Sequence, residues 1–205
     1  AYLSGLIEHV LSVCKLARMT AGHYAHVDVD LVLTGAMLHD IGKIEELTYD
    51  RGFGYSSEGQ LIGHIVMGIQ MIGEKLRLLP DFPPRLRTLV EHMILSHHGE
   101  LEYGSPKVPL FAEALLLHHL DNLDSKMECM RALVEKDRHV DGCWTSYSTS
   151  LDRAVLKKAR YLDPANGTPA AAEATPRPTV LQPVAVAASR PAPPPVPSRP
   201  ATTAP

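Results

Sequence analysis

Imidazole and carboxylate side chains recur at widely separated points of this sequence, each on or beside an apolar helical stripe. They are His9, the adjacent pair His39-Asp40, His64, His97 or His98, and Asp121. The pair alone says little, because 11 His and, by count, 11 Asp in 205 residues give roughly 0.6 His-Asp pairs by chance. The recurrence says more. Every buried imidazole needs a polar partner, and structural histidines have no reason to return at the inner edge of one helix after another. A metal centre explains the recurrence economically. Mixed nitrogen and carboxylate donors suit Mn, Fe, Co, Ni or Zn better than an all-oxygen site for Ca or Mg. Such a set would hold one or two divalent ions, with Asp40 placed to bridge them.

The elements that must deliver these side chains read as helices. Leu31 to Lys43 is an almost wholly apolar run, expected to be a helix buried on most sides, with His39 and Asp40 at its end. A buried carboxylate there needs a cation or donors nearby. Asp28 or Asp30 is the expected N-cap. Upstream, Leu3, Ile7, Val10, Leu11, Cys14 and Ala17 keep a helical period, with His9, Val13 and Leu16 in a second stripe beside it. Beyond Lys43, the stretch from Thr48 to Tyr55 reads as a short hairpin or ordered loop with Gly52 and Gly54 at its turn. A third helix is expected from Gln60 to Leu79, with Leu61, Ile65, Ile69, Ile72, Leu76 and Leu79 on one face. Pro83 and Pro84 fit the start of a fourth, which carries Leu86, Leu89, Val90, Met93, Ile94 and then His97 before Gly99 breaks it. A long fifth helix runs to Lys136 with Asp121 and Asp124 beside its seam of Leu116, Leu120, Leu123, Met127, Met130 and Val134. A last helix from Leu151 to Tyr161 is expected to pack back on the bundle, with Trp144 as an anchor. The class is all-α.

Composition sets the outer limits. At 45% hydrophobic and 21% charged the chain is an ordinary globular one. From Asp163 to Pro205, 12 Pro and 11 Ala among 43 residues, with no aromatic, read as a disordered tail of polyproline character. That leaves residues 1–162 as one domain. A net charge of −3 excludes a strongly basic nucleic-acid binder, so any nucleotide must be held by local basic groups or by metal. Cys14, Cys129 and Cys143 form no C-x-x-C pair, which points to neither a disulfide framework nor a zinc finger and suits a reducing cytoplasm. No apolar run reaches the length of a membrane span. The chain opens at Ala1, without Met, just ahead of a helical pattern, which is compatible with a trimmed fragment and with an upstream domain outside this sequence.

The order His…His-Asp…His…His-His…Asp resembles that of the HD-domain metal-dependent phosphohydrolases. His9 stands as the first histidine, His39-Asp40 as the namesake pair and Asp121 as the distal aspartate. His64 and both His97 and His98 resemble the added ligands of the two-metal branch. The motifs are more similar still to those of bacterial 3′→5′ exoribonucleases of the YhaM type. They are Gly5-Leu-Ile-Glu-His9, His39-Asp-Ile-Gly-Lys43, Glu58-Gly-Gln-Leu-Ile-Gly-His64-Ile, Ser96-His-His-Gly-Glu100, Gly104-Ser-Pro106, Glu113-Ala-Leu-Leu-Leu-His118 and Asp121-Asn-Leu-Asp124, spread over about Gly5 to Leu162. The resemblance implies an HD-domain helical bundle with one or two divalent ions, Mn²⁺ foremost and Fe, Co, Ni, Zn or Mg as alternatives. It implies hydrolysis of single-stranded RNA by a metal-activated hydroxide, with Asp40 and Lys43 catalytic and Lys43 touching the phosphate. It also implies an N-terminal oligonucleotide-binding barrel, which these residues do not include. His97-His98 is followed by Gly-Glu-Leu-Glu-Tyr rather than by the Gly-Tyr-Pro of the cyclic-dinucleotide branch, and Gly5 offers no carboxylate for a third metal.

Simpler readings stand beside these. His23, His26, His92, His118, His119 and His139 are taken as ordinary surface or core residues. Asp124 reads either as a helix-surface charge or as the partner of a ligating histidine. Lys43, by itself, is a solvated lysine at a helix end. Lys75, Arg77, Arg85 and Arg87 read as a solvated face rather than a track for a nucleic-acid backbone. The rival activities are hydrolysis of mononucleotides or small cyclic nucleotides, and a scaffold in which metal only holds the helices together.

Overall fold

A computed structural model describes residues 5–49, 52 and 54–163. The stretch expected to be a disordered tail lies, from Pro164 onward, outside the described residues. The elements are α1 (Gly5–Ala21), α2 (Val29–Leu38), α3 (Lys43–Glu46), β1 (Leu47–Thr48), β2 (Gly54–Tyr55), α4 (Ser57–Ile62), α5 (His64–Leu76), α6 (Pro84–Ser96), α7 (Ala112–Lys136) and α8 (Lys158–Leu162), with a 3₁₀ turn at Leu101–Tyr103. The all-α expectation holds: the sheet is a single antiparallel pair, Leu47 opposite Tyr55 and Thr48 opposite Gly54. Gly54 therefore lies in a strand rather than in the turn.

Helix α2 is the axis, packed against α1, α6 and α7. Its start is fixed by Asp28, whose Oδ1 accepts hydrogen bonds from the Asp30 and Leu31 amides at 3.0 and 3.1 Å. Its inward side chains Leu31, Val32 and Ala36 meet Val13 and Ala17 of α1, Val90, Met93 and Ile94 of α6, and Ala114, Leu117 and Leu120 of α7 in one core. The helix ends at Leu38, so His39 and Asp40 sit in a tight turn just beyond it. Lys43 accordingly opens α3 instead of closing a helix.

Other expectations need correction. On α1 the buried face takes from both stripes: Val13 of the second and Ala17 of the first are fully buried, whereas Ile7 is 72% and Leu11 53% exposed. The third helix is two, because Gly63 takes a φ of 78°, a left-handed value that suits glycine, and interrupts it. Leu61, expected inside, is 86% exposed, and Leu79 lies beyond the end of α5 and outside the core. The seam of α7 is interrupted in its middle, where Leu123 and Met127 face out; Met130 and Val134 beyond them are half-buried. The last helix is short. Residues 144–157 are irregular, tied by bridges Trp144–Leu156 and Ser148–Arg153, and Trp144 is 61% exposed rather than an anchor. Buried Lys157 does that work instead, donating to the Val140 carbonyl at 2.7 Å and to the Asp137 carbonyl at 3.3 Å.

Candidate metal centre

Helices α2 and α6 end in the same way. At each C-terminus a histidine turns its ring back so that Nδ1 donates to the carbonyl three residues earlier, His39 to Ala36 at 2.9 Å and His97 to Ile94 at 2.7 Å. A carbonyl only accepts, so both Nδ1 atoms carry the proton and both Nε2 atoms present a lone pair. The bond also satisfies one of the carbonyls a helix end leaves open. His39 and His97 are both buried.

Two further histidines arrive from elsewhere in the fold. His9, in the second turn of α1, donates Nδ1 to Asp124 Oδ2 of α7 at 2.8 Å, and Ser12 donates to the other oxygen of Asp124. His64, the first residue of α5, donates Nδ1 to Glu46 Oε1 at 3.2 Å. All four rings thus spend Nδ1 on the protein and aim Nε2 at one place.

That place is Asp40. Its Oδ2 lies 3.6 Å from His39 Nε2 and 3.8 Å from His9 Nε2, and its Oδ1 lies 3.5 Å from His64 Nε2 and 3.7 Å from His97 Nε2. Ligand-type atoms accordingly fall into two groups, His9 with His39 and Asp121, and His64 with His97 and His98. In the first, His9 Nε2 stands 3.1 Å from Asp121 Oδ1 and 3.3 Å from His39 Nε2. The carboxylate of Asp40 turns one oxygen to each. Every site residue expected from the sequence, His9, His39, Asp40, Lys43, His64, His97, His98 and Asp121, is in this cluster or against it.

Electrostatics explain why a cation fits. Asp40 Oδ1, His64 Nε2 and His97 Nε2 are buried with no hydrogen-bond partner, an arrangement that costs free energy until something positive sits among them. Burial works against the charge of Asp40, yet His39 and Lys43, with Nζ at 2.6 Å, hold its carboxyl well below the usual range. Asp121 is likewise lowered, burial being outweighed by the hydrogen bond from His9. Burial, reinforced by His39, pushes His97 down to about 3, and burial lowers His64 as well. Both are neutral at pH 7, which leaves their lone pairs free. Burial also acts to lower His9, but its hydrogen bonds to Asp121 and Asp124 prevail and raise it. The C-termini of α2 and α6, negative ends of their dipoles, face the same place. The donor set and its three orphaned atoms fit divalent metal.

Glu46 was missed. A Glu45-Glu46 pair reads as a solvated helix face, and nothing in the sequence marks the second as buried; in the fold it is. Of the histidines set aside, His118 is buried behind the centre, with Nδ1 2.8 Å from the His97 carbonyl. Of the four cations near the α5–α6 turn, Arg77 pairs with Glu74 and Arg87 with Glu91 on their own helices, as a solvated face would. Among the described residues no helix is long and apolar enough to cross a membrane.

Comparison with known proteins gives two findings. A family model described as the HD domain matches residues 6–126. The 3′-5′ exoribonuclease YhaM of Bacillus subtilis (strain 168) is 42% identical over 138 residues, which are 66% of this chain and 43% of that protein. The chain thus spans less than half of that relative. No solved structure matches significantly.

Proposed function

The chain belongs to the HD-domain family, and from that premise we propose that it is a metal-dependent phosphodiesterase that shortens single-stranded RNA from its 3′ end. The observation that carries the reading is the two-sided use of Asp40, with one oxygen toward each of two groups of lone-pair donors. The similar exoribonuclease supports RNA as the substrate class.

In this reading His9, His39 and Asp121 would hold one ion and His64, His97 and His98 a second, with Asp40 available to both. Mn²⁺ is the metal favoured by the family resemblance, while the imidazole-rich donor set by itself suits Fe, Co, Ni or Zn as well. Divalent ions in such a site supply Lewis acidity, lowering the pKa of bound water toward neutrality and countering charge at phosphorus. The remaining work falls to side chains. His39 and His97, fixed through Nδ1 to carbonyls of their own helices, keep Nε2 aimed without reorganisation. Lys43, half-buried with Nζ 2.6 Å from Asp40 Oδ2, would offer its ammonium as a point charge to a phosphate oxygen. The buried walls of α2 and α6 keep bulk water from the inner ligands, which strengthens each of these interactions.

The test is a side-by-side assay of the Mn²⁺-loaded protein on 5′-labelled single-stranded RNA, single-stranded DNA, nucleoside triphosphates and cyclic mononucleotides. RNA should shorten progressively from the 3′ end while the mononucleotides persist. Intact RNA alongside hydrolysed mononucleotides would replace the exonuclease by a nucleotide phosphohydrolase. Inertness toward all four would leave a scaffold.

A further inference from the structure

We propose that Glu46 is a positioning residue that sets how tightly the His64 group holds its ion. The proposal rests on the two-ion reading above. His39 and His97 are oriented by carbonyls within their own helices, and His9 by Asp124. His64 has no such partner within its own helix, because it is the first residue of α5, and Gly63, at a φ of 78°, breaks the chain away from the α4 turn before it. Its Nδ1 meets Glu46 Oε1 at 3.2 Å, and the same oxygen accepts the His64 backbone N–H at 3.0 Å. Gly63, the N-cap residue of α5, has no side chain to supply that acceptor. One carboxylate oxygen therefore caps the helix and selects the ring tautomer. A proton on Nδ1 leaves the Nε2 lone pair directed at Asp40 Oδ1, 3.5 Å away; a proton on Nε2 would close the ligand position.

Glu46 is itself held firmly enough to do this. Its amide donates to the Gly42 carbonyl at 3.0 Å, and its carbonyl accepts from the Ser56 amide at 2.9 Å. Gly59 packs on its backbone so closely that a Cβ there would lie 2.5 Å from the Glu46 carbonyl oxygen. The residue is buried and clamped between the turn after His39-Asp40 and α4. Partners of this kind behind a metal-ligating histidine typically account for 10–100-fold in metal affinity. Asp124 stands in the same relation to His9, so each ion group has a carboxylate of its own behind one histidine.

The test is calorimetric titration of the metal-stripped chain with Mn²⁺ alone, with bound metal counted after dialysis. Wild type takes up two ions. Glu46→Gln, which keeps the shape but loses the charge, should weaken one of them about tenfold, and Glu46→Leu by up to about 100-fold, while exposed Glu45→Gln changes neither. In an Asp121→Asn background Glu46→Gln should weaken the remaining ion; in a His98→Ala background it should have no effect. A purely structural role would lower the melting temperature of the stripped protein and leave both affinities alone. Unchanged affinities in Glu46→Gln and Glu46→Leu, or an equal loss at both ions, overturn the proposal, and Glu46→Gln decides if the leucine variant does not fold. A wild type that binds fewer than two ions overturns the two-ion reading instead.

Discussion

Gly42 offers the sharpest test of the packing that holds the centre together. Its φ of −64° and ψ of −19° are open to any residue, so only space requires a glycine. A Cβ there would lie 2.0 Å from the His64 carbonyl oxygen, 2.8 Å from its carbonyl carbon and 2.6 Å from the Gly68 amide. Restoring an ordinary 3.4 Å contact from 2.0 Å means moving the start of α5 by about 1.4 Å, and every opposing atom is backbone, which cannot rotate aside. Overpacking of this kind costs about 1–3 kcal/mol, and the upper end applies here. For a domain of this size about 3 kcal/mol lowers Tm by about 6–12 °C. The displaced residue is His64, and functional groups tolerate only about 0.5 Å. A misplacement near 1 Å costs about 100-fold in rate. Gly42→Ala should therefore lose one ion and most turnover as well as stability. Gly68→Ala is the control from the other side of the same contact. Its Cβ would sit 3.4 Å from Ile41 Cγ2 and 3.5 Å from the Gly42 amide, both ordinary distances, and alanine within a helix gains up to about 1 kcal/mol over glycine. Thermal melts, Mn²⁺ titration and RNA cleavage on the pair decide. If Gly42→Ala melts within about 2 °C of wild type and binds two ions, the close approach of α5 to the turn is not what positions His64.

Two other outcomes follow from the geometry of Asp40 and its histidines. Asp40→Asn removes the one charge shared by both groups; loss of one partner of a buried charged set costs about 3–5 kcal/mol, so Mn²⁺ affinity should fall at least 100-fold and cleavage to background. Retained turnover would refute the bridging role, while a pure scaffold would lose thermal stability and have no turnover to lose. Acid should destabilise the metal-stripped protein. His97 sits at about 3 in the fold against 6.5 unfolded, and His64 is lowered too, so the unfolded chain takes up the extra protons as pH falls. Their stabilisation is complete above pH 6.5 and is lost below it, by up to about 1.4 kcal/mol per pH unit for each group. His9, which is raised, acts oppositely: its contribution is full below 6.5 and fades as pH rises through its folded value. Melts in chelator from pH 8 to pH 5 should pass through a maximum, and His97→Gln should flatten the acid side; a flat wild-type profile would count against neutral, buried ligand rings.

Residue types and apolar periods located most of the helices and collected His9, His39, Asp40, His64, His97 or His98, and Asp121; Lys43 and the use of both histidines of the pair came from the family resemblance. Periodicity identifies a face, not what covers it. The same stripe logic that put Val90, Met93 and Ile94 in the core also put Leu61 there and favoured Ile7 and Leu11 over Val13. On α1, α4 and the middle of α7 the missing information was which neighbour packs where. The break at Gly63 was equally silent, since an isolated glycine in a helical pattern is often tolerated.

The division is clearest in the four histidines. His39 and His97 owe their ring orientation to carbonyls three residues back, so short-range chemistry at two helix ends was sufficient to point them. His64 and His9 take theirs from Glu46 and Asp124, 18 and 115 residues away in sequence. Hydrogen bonds that close over one helical turn are written into local sequence. Those that close across the bundle exist only once the apolar faces of α1, α2, α6 and α7 have packed and brought distant carboxylates to the rings.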